Sequence, residues 1–181
     1  MRIIAGKYRH RLIEWPNDIK NIRPTKDRIR EAIFSSIGDL SSLRVLDLYA
    51  GSGAMGLESL SRNAQHATFV DYNQMAIETI HHNLQSLHIG SDEVSVLRCS
   101  DHQAIDTFIQ KKESFDVVFL DPPYQMGEYQ SIIDLLLNNN LLTTHGIIVI
   151  ETQQNIEFKN VFYRQRKDYH YGDIIVTILW R

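Results

Sequence analysis

Apolar positions along this chain switch between two periods. From Leu43 to Glu151, short apolar runs of strand length alternate with segments whose apolar residues recur every three or four positions. The runs are 44–49, 67–71, 94–98, 115–120 and 146–151. The helical-period segments between them end at Leu60 and span Gln74 to Leu87, Asp101 to Gln110 and Tyr129 to Leu137. Run 115–120, Phe-Asp-Val-Val-Phe-Leu, is almost wholly apolar, as a strand covered on both faces must be. This alternation predicts a parallel βαβ series. The tail differs: 161–169 and 173–180 read as two strands around Tyr171-Gly172-Asp173, so the series ends in an antiparallel pair. The predicted fold class is α/β, a Rossmann-like, doubly wound, mostly parallel seven-stranded sheet with a terminal antiparallel hairpin. Ligands of such sheets sit at the carboxyl ends of the strands.

Ahead of the series, 1–38 reads as an extension to a main domain at 39–181. Arg2 to Trp15 alternates loosely around Gly6-Lys7, which predicts a short β-hairpin. After a loop at 17–23, Pro24-Thr25 opens a helix with Thr25 as N-cap, an apolar stripe of Ile29, Ile33, Phe34 and Ile37, and Gly38 as its stop.

Composition narrows the class. With 43% hydrophobic and 23% charged residues, the chain is an ordinary globular protein. No apolar run approaches the roughly 20 residues of a membrane span, and the start lacks a signal-peptide pattern. The single cysteine, Cys99, excludes an internal disulfide and fits a reducing, cytoplasmic location; it reads as a small buried hydrophobe. The eight histidines lack metal-ligand spacing, and His81-His82 reads as a polar helix face, so no metal is expected. Net charge is −3, but its distribution is uneven. Residues 1–30 hold nine Lys/Arg against three acids, and the remainder ten against nineteen. A basic arm on an acidic body is the asymmetry expected of a segment that grips phosphate, as readily as of a solvated basic face.

Gly51-Ser52-Gly53-Ala54-Met55-Gly56 follows a strand and opens a helix, with Asp71 twenty residues after Gly51. The pattern fits a dinucleotide site or S-adenosylmethionine (SAM). Asp47 separates the two. An extra carboxylate four residues before the first glycine would repel a pyrophosphate, whereas SAM has no phosphate and carries an ammonium and a sulfonium. On the SAM reading, Ala50, Gly51, Ser52, Gly53 and Tyr72 are candidate cofactor contacts, Asp71 accepts from the ribose hydroxyls, and Asp101 with the His102 backbone meets the adenine amine. The plain alternative for Asp101 is a helix N-cap.

Asp121-Pro122-Pro123-Tyr124 ends the fourth run. Prolines alone can serve as a strand stop, but Asp and Tyr beside them suggest chemistry. The exocyclic amine of a base is a poor nucleophile because its lone pair is delocalised into the ring. Two acceptors on its N–H bonds, the Asp121 carboxylate and the Pro122 carbonyl, would draw the nitrogen towards tetrahedral geometry. Pro122 and Pro123 stiffen the loop, and Tyr124 can stack on an extruded base.

Together these residues resemble a known group. The loop Asp47-Leu48-Tyr49-Ala50-Gly51-Ser52-Gly53 with Asp121-Pro122-Pro123-Tyr124 resembles class I SAM-dependent methyltransferases that act on amino groups. Arg2-Ile3-Ile4-Ala5-Gly6-Lys7-Tyr8-Arg9, the segment 23–31 and the ending Tyr171-Gly172-Asp173 are similar to the RsmD family of bacterial 16S rRNA (guanine-N2) methyltransferases, over nearly the whole chain. The resemblance implies methyl transfer from SAM to one guanine amine of 16S rRNA, within the 30S subunit, leaving S-adenosylhomocysteine (SAH). It implies a monomer, with Arg2, Lys7, Arg9, Arg11, Arg23 and Arg28 on the RNA and Thr25 near the methionine end of SAM. Lys26 and Ser100 depart from the family's more frequent Thr and Gly without removing a ligand group. A DNA adenine-N6 methyltransferase would need a target-recognition region that the roughly 20 residues after the proline loop cannot house. An oxidoreductase is disfavoured by Asp47, and a non-catalytic RNA-binding module by the intact acids.

Overall fold

The computed structural model describes residues 1–16, 27–121, 128–158 and 161–181. Twelve elements follow in order: α1 (Asp27–Ile37), β1 (Arg44–Leu48), α2 (Ala54–Ser61), β2 (His66–Asp71), α3 (Gln74–Ser86), β3 (Val94–Arg98), α4 (Asp101–Lys111), β4 (Phe115–Leu120), α5 (Glu128–Asn138), β5 (Leu142–Thr152), β6 (Gln165–Tyr171) and β7 (Ile174–Trp180). They build one seven-stranded sheet in the order β3-β2-β1-β4-β5-β7-β6. The first five strands pair in parallel, and β7 pairs antiparallel with both β5 and β6. The strand order reverses between β1 and β4, and that switch point opens a crevice at the carboxyl ends.

The sheet is buried on both faces because its residues alternate between two cores. Leu46, Leu48, Val118, Leu120, Ile148 and Ile150 pack with Phe108 of α4 and Ile132, Ile133 and Leu136 of α5. Val45, Val117, Phe119, Ile147, Val149 and Ile178 pack with Ile29, Ile33, Phe34 and Ile37 of α1. A third core sets Leu57 and Leu60 of α2 and Ile77, Ile80 and Leu84 of α3 against Phe69 of β2, and it also receives Ile3 and Ile13.

Several boundaries differ from expectation. β5 starts at Leu142, not Gly146, because Leu142 pairs with Phe115 before a register shift. β6 lies later than 161–169, since its pairing with β7 runs from Gln165 to Tyr171. The first helix ends as expected, with Gly38 at φ 84 and its N–H on Phe34. The hairpin at 2–15 reduces to a single bridge, Arg2 with Leu12, plus a few backbone bonds. Those residues are held from outside. The Glu58 carboxylate, fully buried, accepts the N–H groups of Ile4 (2.8 Å) and Ala5 (3.1 Å) and pairs with Arg62 at 2.8 Å. Ser61 Oγ donates to the Ala5 carbonyl and accepts from Tyr8 N–H. Buried Arg30 donates to the Arg2 carbonyl at 2.6 Å. The arm is therefore stapled to α1 and α2 by polar groups that loose alternation could not reveal.

Candidate active site

The glycine loop hangs between β1 and α2. Gly51 (φ 54) and Gly53 (φ 78) adopt left-handed backbone that other residues enter only with strain. A side chain at Gly51 would meet open space, so its glycine serves the turn. Gly56 serves packing: a Cβ there would lie 2.2 Å from the buried ring of Phe69. Buried Asn83 of α3 ties the loop down, donating to the carbonyls of Ser52 (3.0 Å) and Glu14 (3.1 Å) while accepting from Glu14 N–H (2.7 Å). One side chain thus joins the arm, the loop and α3. The Ser52 hydroxyl is buried without a hydrogen-bond partner among the described residues.

The four acids expected in the site all stand at or near the carboxyl ends of the strands. Asp47 is buried and accepts the Gly56 N–H at 2.9 Å, which pulls the start of α2 onto β1. Burial, and then the charge of Asp71, push its carboxyl up to about 7 against that hydrogen bond. Asp71 accepts Gly51 N–H at 2.9 Å and Asn73 N–H at 2.8 Å, so it braces the loop from β2. Asp101 is buried at the start of α4 and accepts the Tyr49 hydroxyl at 2.6 Å and His102 N–H at 2.7 Å. Burial would raise its carboxyl, but the hydrogen bonds from Tyr49 and His102 outweigh it and hold the group below the ordinary range. The cap of α4 is Ser100, not Asp101: Ser100 and Gln103 form a reciprocal capping box. Asp101 is thereby left to face the crevice.

Leu48, Tyr49, Val70, Asp71, Tyr72, Cys99, Ser100 and Asp101 line a cavity of about 190 Å³. Tyr72 stands 62% exposed at its rim, an aromatic face in water beside an acid pair. Tyr49 was not anticipated. It leaves β1 with φ 78, rare for a non-glycine residue, and that bend aims its hydroxyl at Asp101. Cys99 is half-buried in the same wall, and burial and then Asp101 push its thiol up, so it stays protonated.

Asp121 follows the last residue of β4. Its side chain is open to solvent on one side, yet most of its surroundings are protein. That burial, then the carboxylates of Glu151 and Asp47, push it up to about 8. Buried Tyr129 of α5 is pushed up to about 12 by burial and by the same neighbours Asp121 and Glu151, and its hydroxyl donates to the Glu151 carbonyl at 3.3 Å. Pro122, Pro123 and Tyr124 lie outside the described residues, as do Thr25 and Arg23.

The expected RNA-facing cations divide. Arg9 and Arg28 are exposed. Lys7 pairs with Glu93 at 2.8 Å, Arg2 pairs with Asp27 at 3.2 Å, and Arg11 donates to the Ser86 carbonyl at 2.7 Å. Arg30 is buried structure and adds nothing to a surface charge.

The residues present suit a phosphate-free, cationic nucleoside. Acids surround the loop amides, Asp71 and Asp101 flank one cavity, and Gly51 leaves room over the loop. Comparison with known proteins agrees. The model of the family described as Conserved hypothetical protein 95 matches residues 1–180. Ribosomal RNA small subunit methyltransferase D of Haemophilus influenzae is 35% identical over 156 residues, covering 86% of this chain and 80% of the relative. Its Escherichia coli K12 counterpart is 34% identical over 154 residues, 84% of this chain and 75% of the relative. The solved structure of the yhhF protein from Escherichia coli superposes with a TM-score of 0.84 at 30% identity, over 100% of this chain and 97% of that one. The chain belongs to the RsmD family of class I methyltransferases.

Proposed function

We propose that this chain transfers a methyl group from SAM to the exocyclic N2 amine of a guanine in 16S rRNA, with the 30S subunit as substrate and SAH as by-product. The observation that carries this reading is the row of acids around a glycine loop, with Asp121 on the neighbouring strand. Family membership and the names of the relatives support rRNA as the target class. Bound SAM supplies the electrophilic methyl. Asp47, buried beneath the loop, offers negative charge to the cationic methionine part. Asp71 accepts from ribose hydroxyls, Asp101 from the adenine amine, and Tyr72 offers a stacking face. Asp121 accepts an N–H of the target amine and helps the Pro122 carbonyl localise its lone pair, while Tyr124 stacks on the base. The methylated ammonium is acidic, so Asp121 needs only modest basicity to receive its proton. Arg9 and Arg28, both exposed, supply cations for phosphates, and Arg23 is assigned the same role.

A ligand-stability measurement tests the donor. Saturating SAM should raise the melting temperature by several degrees, and NAD should leave it unchanged. The reverse result would contradict the methyltransferase reading. Tyr49→Phe removes the hydroxyl that holds Asp101. Its SAM affinity, measured by titration calorimetry, should fall roughly tenfold, the loss expected for one hydrogen bond to a charged group. Unchanged affinity would mean Asp101 needs no such brace.

The pH profile follows from Asp121. Its ionised form is the acceptor, and its carboxyl is pushed up to about 8. In the free enzyme kcat/KM should therefore fall as pH drops below 8, roughly tenfold per unit. The kcat profile should turn at lower pH, because the bound cation favours the carboxylate. A kcat/KM flat between about pH 6 and 8 would show that Asp121 is already ionised there in the free enzyme.

A further inference from the structure

The hairpin of β6 and β7 turns at Tyr171-Gly172-Asp173, a segment to which the proposed mechanism gives no task. Strand register ties this hairpin to the site. Leu120 pairs with Ile150, so Asp121 stands level with Glu151. Glu151 pairs with Val176, and Val176 pairs with Tyr169. Tyr169 therefore lies in the same row as Asp121, three strand steps or about 14 Å away. The two also share a face of the sheet. Phe119, two residues before Asp121, is part of the α1 core, and Tyr169 and Tyr171 pack against that same core. Tyr171 lies one pleat nearer the carboxyl ends, at the rim where ligands of such sheets sit.

The Tyr169 and Tyr171 rings are stacked, with centroids 6.5 Å apart and planes 20° from parallel. Tyr169 is anchored: its hydroxyl lies 2.9 Å from Ser36 Oγ of α1. Tyr171 is half-buried, and its hydroxyl has no hydrogen-bond partner among the described residues. Nothing packs over the turn beyond it, since a Cβ at Gly172 (φ 63) would meet no atom within 4 Å. Shielding of a sheet edge needs only a charge or a short strand. A flat ring backed by a second ring and open at the rim is what a nucleobase stacks on. Cations lie on the same side. Arg28, Ala32 and Ser36 recur every four residues along one flank of α1, so exposed Arg28 is two turns, about 12 Å, from the serine that meets Tyr169. Lys167 Nζ sits 5.5 Å over the Trp180 ring on the same face. Asp168 belongs to the opposite face, where Arg166 and Thr177 hold it. Exposed Asp173 would weaken a phosphate contact, but stacking tolerates it.

On the rRNA reading above, we propose that these tyrosines form a stacking platform for an unpaired base of the rRNA strand flanking the target guanine. Tyr171 makes the contact and Tyr169 backs it. Extruding the target for methylation unstacks its neighbours, and an aromatic surface on the same face returns what they lose.

The test compares wild type, Tyr171→Leu and Tyr171→Phe in methyl transfer from labelled SAM to 30S subunits, with SAM binding measured on the same preparations. Tyr171→Leu keeps apolar packing at the sheet edge and loses the flat face. Its KM for 30S subunits should rise roughly tenfold, the loss typical of one base–aromatic stack, with the effect on KM and not on SAM affinity. That ratio should be the same at low and high salt, because stacking releases no counterions. Tyr171→Phe keeps the ring and should restore KM to within about threefold of wild type. A wild-type KM in Tyr171→Leu, or a Tyr171→Phe as weak as Tyr171→Leu, overturns the platform. If Tyr171→Leu misfolds, seen as lost SAM stoichiometry, Tyr171→Trp decides: a KM no higher than wild type supports the platform, and a raised one overturns it. A wild type that methylates no 16S rRNA sinks the functional reading, whereas one active on rRNA and indifferent to Tyr171 sinks the platform alone.

Discussion

Asp121→Ala should lower methyl transfer by about a thousandfold or more while leaving SAM affinity within about threefold of wild type. The asymmetry follows from position. Asp121 follows β4 beside the acids of β1 and β5, whereas the cavity proposed for the nucleoside is lined from β1, β2 and the start of α4. Removing the carboxylate takes away one of two acceptors on the target amine and the nearest proton acceptor. It also removes a charge that raises its neighbours, so the protein should lose no stability. A carboxylic acid held up to about 8 stabilises the folded state at low pH, and that contribution fades as pH rises from the unfolded value towards 8. Asp121→Ala should therefore melt at or slightly above the wild-type temperature at pH 8. Asp121→Asn should also be slow, since its amide can accept only through one oxygen and presents N–H groups to the amine. Single-turnover transfer with SAM pre-bound measures this directly. Turnover by Asp121→Ala comparable with wild type would refute the amine-activation role.

The second large effect lies far from the chemistry. Gly6→Ala should destabilise the fold by about 3 kcal/mol or more, the sum of left-handed strain and a forced displacement. Gly6 sits at φ 81, and an added Cβ would lie 1.8 Å from the Ser61 carbonyl oxygen, a backbone atom that cannot swing aside. That carbonyl also accepts the Lys7 N–H at 2.7 Å. Relief requires the arm to lift, which breaks the Glu58 and Ser61 bonds and exposes Ile3, now fully buried. Buried Glu58 would then keep only Arg62 as its partner among the contacts described. Denaturant unfolding measures the loss. Hydrogen exchange should show deprotection of residues 3–13 and of α2. A variant with wild-type stability would mean the arm is not held by this junction.

Much of the fold was legible because it rests on periodicity. The five parallel strands differ in apolar content enough to stand out, and the glycine loop and the Asp-Pro-Pro-Tyr segment mark the two strand ends between which the sheet order reverses. Strand boundaries were less legible where pairing decides them. β5 gains Leu142 to His145 because Leu142 pairs with Phe115 across a register shift whose extra residues lie on β5. β6, Gln-Arg-Lys-Asp-Tyr-His-Tyr, is an edge strand whose polar face hides its type. In the candidate site, the placement of Asp47, Asp71, Asp101 and Asp121 at or near strand ends could be read because each follows or closes an apolar run. Tyr49, Glu58 and Asn83 could not. Each works through a tertiary contact 52 to 69 residues away in sequence, and nothing in the local pattern marks it. The basic arm was misleading in one respect. Its charge count included Arg30, which is internal, and Lys7 and Arg2, which pair with acids. Its capacity for phosphate rests on fewer cations than the sequence suggested.

On the proposed reading, one acceptor-lined site methylates a guanine amine of ribosomal RNA. The most direct measurement offers labelled SAM with 30S subunits, naked 16S rRNA and duplex DNA in parallel, followed by nucleoside analysis of each product. Label should appear in N2-methylguanosine from 16S rRNA, most strongly in the assembled subunit, and not in DNA. Label in N6-methyladenine, or in DNA in preference to rRNA, would contradict it.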